Sequence, residues 1–197
     1  MPHYLPPTLA PLSRRLFLAT GTAALLAPGF PAAAGAAAPQ LRLDGIYYEP
    51  WLLKPSFDLG KDFAAVTKSG KNFAIMWEMR GCPWCKRLHL ENFARADIAS
   101  YVQENFGLLQ MNLRGHTEVK DFDGEKLTEE SLSLKHDVNA TPTFQFFKPS
   151  DASFGGELGR VGYVEPDNFL LALRFVRERG YETSNFEDWA KSHKAPA

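Results

Sequence analysis

The chain has two residues whose type and spacing suit redox chemistry, Cys82 and Cys85, and they are its only cysteines. Two thiols separated by two residues can close into a disulfide within one helical turn and reopen, so the pair can carry two electrons. With no third cysteine in the sequence, any disulfide that Cys82 attacks must belong to another molecule. The pattern therefore indicates a dithiol that exchanges with a partner.

The same spacing also occurs in zinc sites and at points of haem attachment. Covalent haem needs a histidine directly after the second cysteine, and this position is Lys86. A structural zinc site needs two further Cys or His ligands at compact spacing, whereas His89, His116 and His136 are scattered singly. We therefore expect no metal, and no cofactor other than the redox-active disulfide itself.

The elements around the dithiol place it on a strand-to-helix turn. Residues 72–77 are an apolar run suited to a buried strand, and residues 86–93 have helical composition. Pro83 fits the first turn of that helix, where its missing N–H has no intrahelical partner to lose. Cys82 then lies at the helix N-terminus, where unpaired N–H groups and the helix dipole stabilise a thiolate. We expect Cys82 to be the more exposed, attacking thiol and Cys85 to resolve.

A second signal follows the dithiol in the chain. Thr141 and Pro142 precede an apolar run at residues 143–147, where a proline is unusual because it cannot donate to a strand ladder. In this order the chain resembles the thioredoxin superfamily from about residue 41 to the last helix. The resemblance implies an α/β thioredoxin fold with a central mixed sheet flanked by helices, here with an N-terminal extension and a polar insertion before the Thr-Pro segment. It also implies that the Thr141–Pro142 bond is cis and that these two residues bind substrate beside the dithiol.

Several residues around the dithiol differ from cytoplasmic thioredoxins, which have Gly-Pro between the cysteines and a buried Asp six residues before the first. Here Pro83 and Trp84 separate the cysteines, and the position of the Asp is Met76. Trp84 lies at the tip of the loop with little core to enter, and we expect it to contact substrates. Glu78, four residues before Cys82, is the carboxylate that we expect to transfer a proton or tune the dithiol.

The basic and histidine side chains near the dithiol are open to more than one interpretation. Lys86 either adds positive potential beside the thiolate and tunes it, or keeps the helix face soluble. His89 is one helical turn past Cys85, but a solvated position on the helix face is the expectation. His116 and His136 are also expected at the surface.

A closer resemblance is to the periplasmic thioredoxins encoded with bacterial sulfur-oxidation genes, the SoxW type. It rests on Glu78, Gly81, Pro83, Lys86, His89 and residues 104–106, 110–113, 121–124, 141–147 and 179–181. This resemblance implies a protein-disulfide oxidoreductase that reduces disulfide-bearing periplasmic proteins in sulfur (thiosulfate) oxidation. Its implied electron donor is a membrane thiol-electron transporter.

The N-terminus predicts export. Residues 13–18 resemble the twin-arginine pattern, residues 18–30 form a modest apolar stretch, and residues 32–38 offer small-residue cleavage sites. The apolar stretch is interrupted and too short for a membrane span. We expect residues 1–38 to be a twin-arginine-type signal and residues 39–197 to be the thioredoxin-like domain, located in the periplasm. An uncleaved anchor or an alanine-rich tail is the alternative.

The remaining sequence agrees with one domain of this class. With 22 basic and 23 acidic residues, the chain gives no sign of a nucleic-acid partner. We also expect the protein to be a monomer. Helices are predicted at residues 58–69, 97–105, 128–136 and 168–179, and a polar hairpin or loop insertion at residues 114–126.

Other functions remain open at the level of sequence. Within redox chemistry, the alternative is a disulfide reductase for cytochrome c maturation or for general periplasmic disulfide repair. In a different class, the chain would be a non-catalytic or metal-carrying protein with a thioredoxin fold. The two intact cysteines argue against a non-catalytic module.

Overall fold

The computed structural model describes residues 38–153 and 156–193. The predicted export signal lies outside the described residues except for its last position, so the signal and the domain boundary after it stay predictions. None of the helices in these two ranges is long and apolar enough to cross a membrane.

The helices and strands alternate along most of the chain. They are β1 (Gln40–Leu41), β2 (Tyr47–Tyr48), α1 (Leu59–Lys68), β3 (Asn72–Glu78), α2 (Pro83–Arg87), α3 (Ala96–Asn105), β4 (Phe106–Asn112), β5 (Glu118–Lys120), β6 (Lys126–Thr128), α4 (Glu129–Lys135), β7 (Thr143–Phe147), β8 (Glu157–Val161), α5 (Pro166–Arg177) and α6 (Phe186–His193). A turn of π-helix, Leu88–Asn92, continues α2 directly. The predicted mixed-sheet α/β fold is confirmed.

The central sheet has the strand order β4-β3-β7-β8. Strand β3 pairs in parallel with β4 and antiparallel with β7, which pairs antiparallel with β8. Every residue of β3 is buried, because helices cover both faces of the sheet. The turn that carries Cys82 and Cys85 therefore follows a strand that is buried along its whole length.

Alternation along β3 decides which side chains face the dithiol helix. Ala74 and Met76 pack with Leu88 and Phe93 in one core cluster, while Trp77 packs in the cluster on the opposite face. Successive side chains of a strand point to opposite faces. Glu78 accordingly continues the face of Ala74 and Met76, toward the helix that follows the cysteines.

The predicted helix starts agree with the structure in two cases. Asp58 caps α1 by accepting a hydrogen bond from the Lys61 amide at 3.1 Å, and Thr128 caps α4 by accepting one from Ser131. The other two predicted starts are each two residues too late in the chain, because the N-cap of α3 is residue 95 and not residue 97, and α5 begins at residue 166 and not at residue 168. Local capping chemistry thus fixed two of these four helix starts.

The polar insertion and the N-terminal extension, which are additional to the central sheet, lie where the sequence predicted. The polar insertion before the Thr-Pro segment contains the hairpin of β5 and β6. The N-terminal extension contains the hairpin of β1 and β2, and the Leu53 amide ties it to β4 by donating to the Leu108 carbonyl at 3.0 Å. At the other end of the domain, Trp189 on α6 is buried and packs edge-on against Phe175.

Candidate redox site

Cys82 and Cys85 form a disulfide at the start of α2, with their Cα atoms 5.2 Å apart. Gly81 has a φ of +75°, which lets the chain turn sharply from β3 into the helix. Cys82 is the N-cap of α2, and its sulfur accepts a hydrogen bond from the Cys85 amide at 3.1 Å. Cys82 is 7% exposed and Cys85 3% exposed, in the predicted order. The sulfur that sequence predicts as the nucleophile is therefore the one held by a helix N-terminal amide.

The predicted Thr-Pro segment lies beside this disulfide. The Thr141–Pro142 peptide bond is cis, as the resemblance implied. The Thr141 carbonyl oxygen lies 3.4 Å from Cys82 Sγ, and Thr143 anchors the turn by donating its hydroxyl to the Ala140 carbonyl at 2.8 Å. The main chain next to the sulfur is thus held in a defined position.

An aromatic platform, which we define as Trp84, Arg87 and Tyr163, lies next to the dithiol. Trp84 is 51% exposed, and its ring centroid is 5.1 Å from that of Tyr163. The Arg87 guanidinium lies over both rings, at 5.7 Å from Trp84 and 5.1 Å from Tyr163. Trp84 is exposed as predicted, while Tyr163 was missed because only the folded chain brings it to the dithiol loop.

The Glu91 carboxylate binds two members of the aromatic platform. It accepts hydrogen bonds from Arg87 Nε at 2.8 Å and from the Tyr163 hydroxyl at 3.0 Å. Burial and this hydrogen bond to Glu91 raise the pKa of Tyr163 to about 12. The phenol therefore stays protonated at neutral pH and keeps donating to Glu91.

A buried charge cluster, which we define as Glu49, Glu78 and His89, joins the N-terminal extension, the end of β3 and the π-helical turn after α2. His89 Nδ1 is 2.9 Å from Glu49 Oε1, and His89 Nε2 is 3.2 Å from both oxygens of Glu78. Gln110 donates its amide to Glu78 and to the Tyr47 carbonyl. All three members of the cluster are buried, so their charges are shielded from solvent and strongly coupled.

The environment of His89 determines its charge. Burial disfavours the imidazolium, but the hydrogen bonds and charges of Glu49 and Glu78 outweigh burial and raise the pKa of His89 to about 9. His89 is thus protonated at neutral pH, and each of its two ring N–H groups donates to a carboxylate. The expectation that His89 is solvated was wrong, because the π-helical turn after α2 directs it inward onto both carboxylates.

The remaining predicted residues are in different environments. Glu78 is fully buried at the end of β3, and Lys86 is exposed on the outer face of α2. His116 is exposed as predicted, whereas His136 is buried with Nε2 at 3.0 Å from Asp121 Oδ1, so that expectation was wrong. The cause is the insertion, which folds over His136.

The arrangement of ligating side chains bears on the metal alternative. In residues 38–153 and 156–193, no group of three or more His, Cys, Asp or Glu side chains is placed to hold a metal ion. The buried cluster of Glu49, Glu78 and His89 is organised instead by hydrogen bonds along both ring nitrogens of the histidine.

Comparison with known proteins assigns the family. The model of the thioredoxin-like domain family matches residues 59–177, and the chain belongs to this family. No curated protein matches the sequence.

Two solved structures share the fold at low sequence identity. A thioredoxin-fold protein from Helicobacter pylori is 19% identical with a TM-score of 0.55, and the match covers 72% of this chain and 87% of that one. A thioredoxin from Thermus thermophilus is 19% identical with a TM-score of 0.51, covering 74% of this chain and 98% of that one. A thioredoxin-like domain with a Cys-X-X-Cys disulfide at a helix N-terminus suggests thiol–disulfide exchange as the class of chemistry.

Proposed function

We propose that this protein is a periplasmic thiol:disulfide oxidoreductase that reduces disulfides of partner proteins. The observation that carries the proposal is the Cys82–Cys85 disulfide, with Cys82 capping α2 and lying beside the Thr141 carbonyl. A sulfur in this position is stabilised as a thiolate by the helix terminus, and the thiolate is the attacking species. We infer that the main chain of Thr141 and Pro142 pairs with an extended substrate segment.

The reaction begins from the reduced dithiol. The Cys82 thiolate forms a bond to one sulfur of the target disulfide while the target S–S bond breaks, and the other target sulfur leaves as a thiolate with the bonding electrons. The product of this step is a mixed disulfide between Cys82 and the target. Trp84 and its platform contact the target next to the reacting sulfurs.

Cys85 completes the reaction. It loses its proton, bonds to Cys82 Sγ and displaces the target sulfur that was bound to Cys82, which leaves as a thiolate, so two electrons have passed from the dithiol to the target. Glu78 is our proposed acceptor of the Cys85 proton, directly or through one water, because it is the buried carboxylate on the β3 face toward this helix. Lys86, exposed beside Cys85, adds positive potential near the developing thiolates.

We further propose that the protein acts as a monomer in sulfur oxidation, with a membrane thiol-electron transporter as its reductant. The support is the sequence resemblance to periplasmic thioredoxins encoded with sulfur-oxidation genes, including Glu78 and His89 around the dithiol. Disulfide reduction for cytochrome c maturation or general repair uses the same site, and the identity of the captured partner distinguishes the two.

A trapping experiment tests this function. Cys85→Ser in the full chain should accumulate mixed disulfides with its targets, and Cys82→Ser should accumulate none, because only Cys82 attacks. Wild-type protein should also reduce insulin. A wild type that leaves insulin oxidised, together with equal trapping by both variants, would argue against the proposal.

A separate experiment tests export. Replacing Arg14 and Arg15 by Lys keeps the charge but removes the arginine pair, so the protein should be retained in the cytoplasm. The check is fractionation of cells that produce either form. Periplasmic protein at the wild-type level in the Lys variant would contradict the twin-arginine assignment.

A further inference from the structure

A polar pocket of about 210 Å³ lies between the N-terminal extension and the polar insertion, next to β4, an outer strand of the central sheet. We call it the edge pocket; it is lined by residues between 42 and 57, by residues between 110 and 117, and by Glu129. Its volume is that of about seven water molecules, so it suits only a small molecule. None of its lining residues belongs to the dithiol, the aromatic platform or the buried charge cluster.

Glu129 contributes a buried carboxylate that has no cationic partner. Glu129 is 8% exposed, and its Oε1 accepts a hydrogen bond from the Asn112 amide at 2.9 Å. Within residues 38–153 and 156–193 no ion pair reaches Glu129, and Arg114 pairs with the neighbouring Glu130 instead. Buried charges in proteins are normally paired. The carboxylate of Glu129 therefore lacks the partner that its burial calls for.

The other charges of the edge pocket do not balance Glu129. Arg42 and Asp44 form an ion pair with each other at 2.8 Å, so their charges cancel. With histidine counted as neutral, the lining keeps one negative charge, that of Glu129. The charge that complements this pocket is a single positive one.

Gln110 adds an acceptor that also lacks a partner. Its amide nitrogen donates to the Tyr47 carbonyl at 2.6 Å and to Glu78, while its Oε1 is buried without a hydrogen bond in the part of the chain that the structure describes. A buried acceptor without a donor is costly. Gln110 and Asn112 are two residues apart on β4, so their side chains share one face, about 7 Å apart along the strand. The unpartnered oxygen thus lies in the same region of the pocket as the carboxylate bound to Asn112.

Phe57 provides an aromatic wall in a strained backbone conformation. It has a φ of +60°, which is rare for a bulky residue, and it is 44% exposed. The Lys120 amide holds this conformation by donating to the Phe57 carbonyl at 2.9 Å. Strain of this kind is concentrated at functional sites, and an aromatic ring attracts a cation. The third wall therefore favours the same ligand charge as Glu129.

We propose that the edge pocket binds a small ligand that carries a primary ammonium group. The ammonium donates to the carboxylate of Glu129 and to Gln110 Oε1, with Phe57 against the adjoining carbon. An ammonium has three N–H donors and one positive charge, which match these two acceptors and the charge of the lining. Among the described residues, no group of three or more His, Cys, Asp or Glu side chains is placed to hold a metal ion. The ammonium belongs either to a free amine or to a lysine side chain of a partner protein.

An NMR titration of the wild-type full chain tests the proposal without any substitution. Methylammonium chloride should shift the amide signals of Asn112, Gly115 and Thr117 in a saturable way, with a Kd of about 1–10 mM, as expected for a ligand of few atoms. Potassium chloride at equal concentration should not, because it has the charge but no N–H donors. Equal, saturable shifts with potassium, or no saturable shift with methylammonium, would overturn the proposal.

Two further probes distinguish the source of the ammonium. Glycine represents a free amino acid, and Nα-acetyl-lysine amide represents a lysine side chain of a protein. Tighter binding of glycine would indicate a free amino acid, and tighter binding of the lysine derivative would indicate a partner protein. Binding of methylammonium alone would restrict the pocket to small free amines.

Substitutions then locate the binding site. Glu129→Gln keeps an acceptor for the Asn112 amide but removes the charge, so the Kd for methylammonium should rise at least about tenfold. Phe57→Leu keeps an apolar wall without the ring and should raise it several-fold. Glu130→Gln, the same change at the next residue of α4 and outside the pocket, is the matched control and should stay within about twofold. An unchanged Kd in Glu129→Gln would contradict the proposal, and if that variant does not fold, the wild-type titration decides.

Failure of this binding is distinguishable from failure of the proposed redox function. The edge pocket contains neither cysteine, so insulin reduction by wild type should proceed whether or not methylammonium binds.

Discussion

The carbonyl oxygen of Thr141 lies 3.4 Å from Sγ of Cys82, although 58 residues separate them in the sequence. One is held by the turn before β7, and the other by the N-terminus of α2. Main chain of the cis Thr-Pro turn therefore lies against the sulfur that we expect to attack.

The two thiols of the reduced protein should differ in reactivity. Cys82 is more exposed than Cys85 and occupies the helix N-terminus, so iodoacetamide should alkylate it at least about tenfold faster at neutral pH. Peptide mapping after a short reaction measures the ratio. Equal modification of both cysteines would contradict the assignment of nucleophile and resolving thiol.

The aromatic platform should matter for protein substrates and not for small ones. Trp84→Ala removes the exposed ring that stacks on Tyr163, so the rate of insulin reduction should fall several-fold. Reduction of a small aromatic disulfide should stay within about twofold. Leu90→Ala, another exposed apolar side chain after α2, is the matched control and should leave both rates unchanged. Equal losses of rate on both substrates would mean that Trp84 affects the dithiol itself and does not bind the protein substrate.

The stability of the oxidised protein should depend on the charge of His89. Its pKa rises from 6.5 to about 9 in the fold because the two carboxylates outweigh the effect of burial. A group with a raised folded-state pKa contributes stability that is fully present below the unfolded value and is lost as pH rises through the folded value. At about 1.4 kcal/mol per tenfold change in proton affinity, the contribution is about 3 kcal/mol.

Urea unfolding of the oxidised protein measures this effect, since disulfide-bonded cysteines do not titrate. The free energy of unfolding should decrease from about pH 6.5 to above pH 9. His89→Gln should show a smaller decrease over the same interval. A wild-type profile parallel to that of the variant would contradict the protonated state of His89.

The close contact between β4 and α1 should make Gly107 intolerant of a side chain. A Cβ atom at this position would lie 2.7 Å from Val66 Cγ1, well inside van der Waals contact. Gly107→Ala should therefore lower the free energy of unfolding by about 1–3 kcal/mol. Gly60→Ala is the control, because its Cβ would meet only the Asp58 carboxylate at 3.5 Å and it lies in α1.

A double variant checks the cause of that loss. Adding Val66→Ala to Gly107→Ala removes the methyl groups that the new Cβ would meet, so part of the lost stability should return. Thermal or urea unfolding of the four proteins gives the coupling energy. Additive losses of stability would mean that the destabilisation by Gly107→Ala does not come from the contact with Val66.

Much of the fold was predictable from short stretches of sequence. The apolar run of β3, the capping residues Asp58 and Thr128, and Pro83 at the start of α2 each signal structure through interactions within a few residues. The spacing of Cys82 and Cys85 likewise indicated a redox pair without any knowledge of the rest of the chain. The Thr-Pro segment could be placed beside that pair only through the family resemblance.

The surroundings of the dithiol could not be predicted in the same way. His89 was expected in solvent because a single histidine on a helix face is usually solvated, yet a turn of π-helix directs it between Glu49 and Glu78. His136 was likewise expected at the surface, but residues of the insertion cover it. A histidine on an isolated helix does not indicate which distant carboxylates will meet it.

The sequence by itself determined the chemistry of the pair and the local turns that present it, because thiol spacing, capping and proline geometry act over a few residues. Only the tertiary structure decided what surrounds the pair: Tyr163 stacked on Trp84, and Glu49 bound to His89. These contacts depend on sheet register and on how the extension packs, and both are set by burial of the whole domain. Side chains far apart in the chain acquire their charges and partners only when that burial is complete.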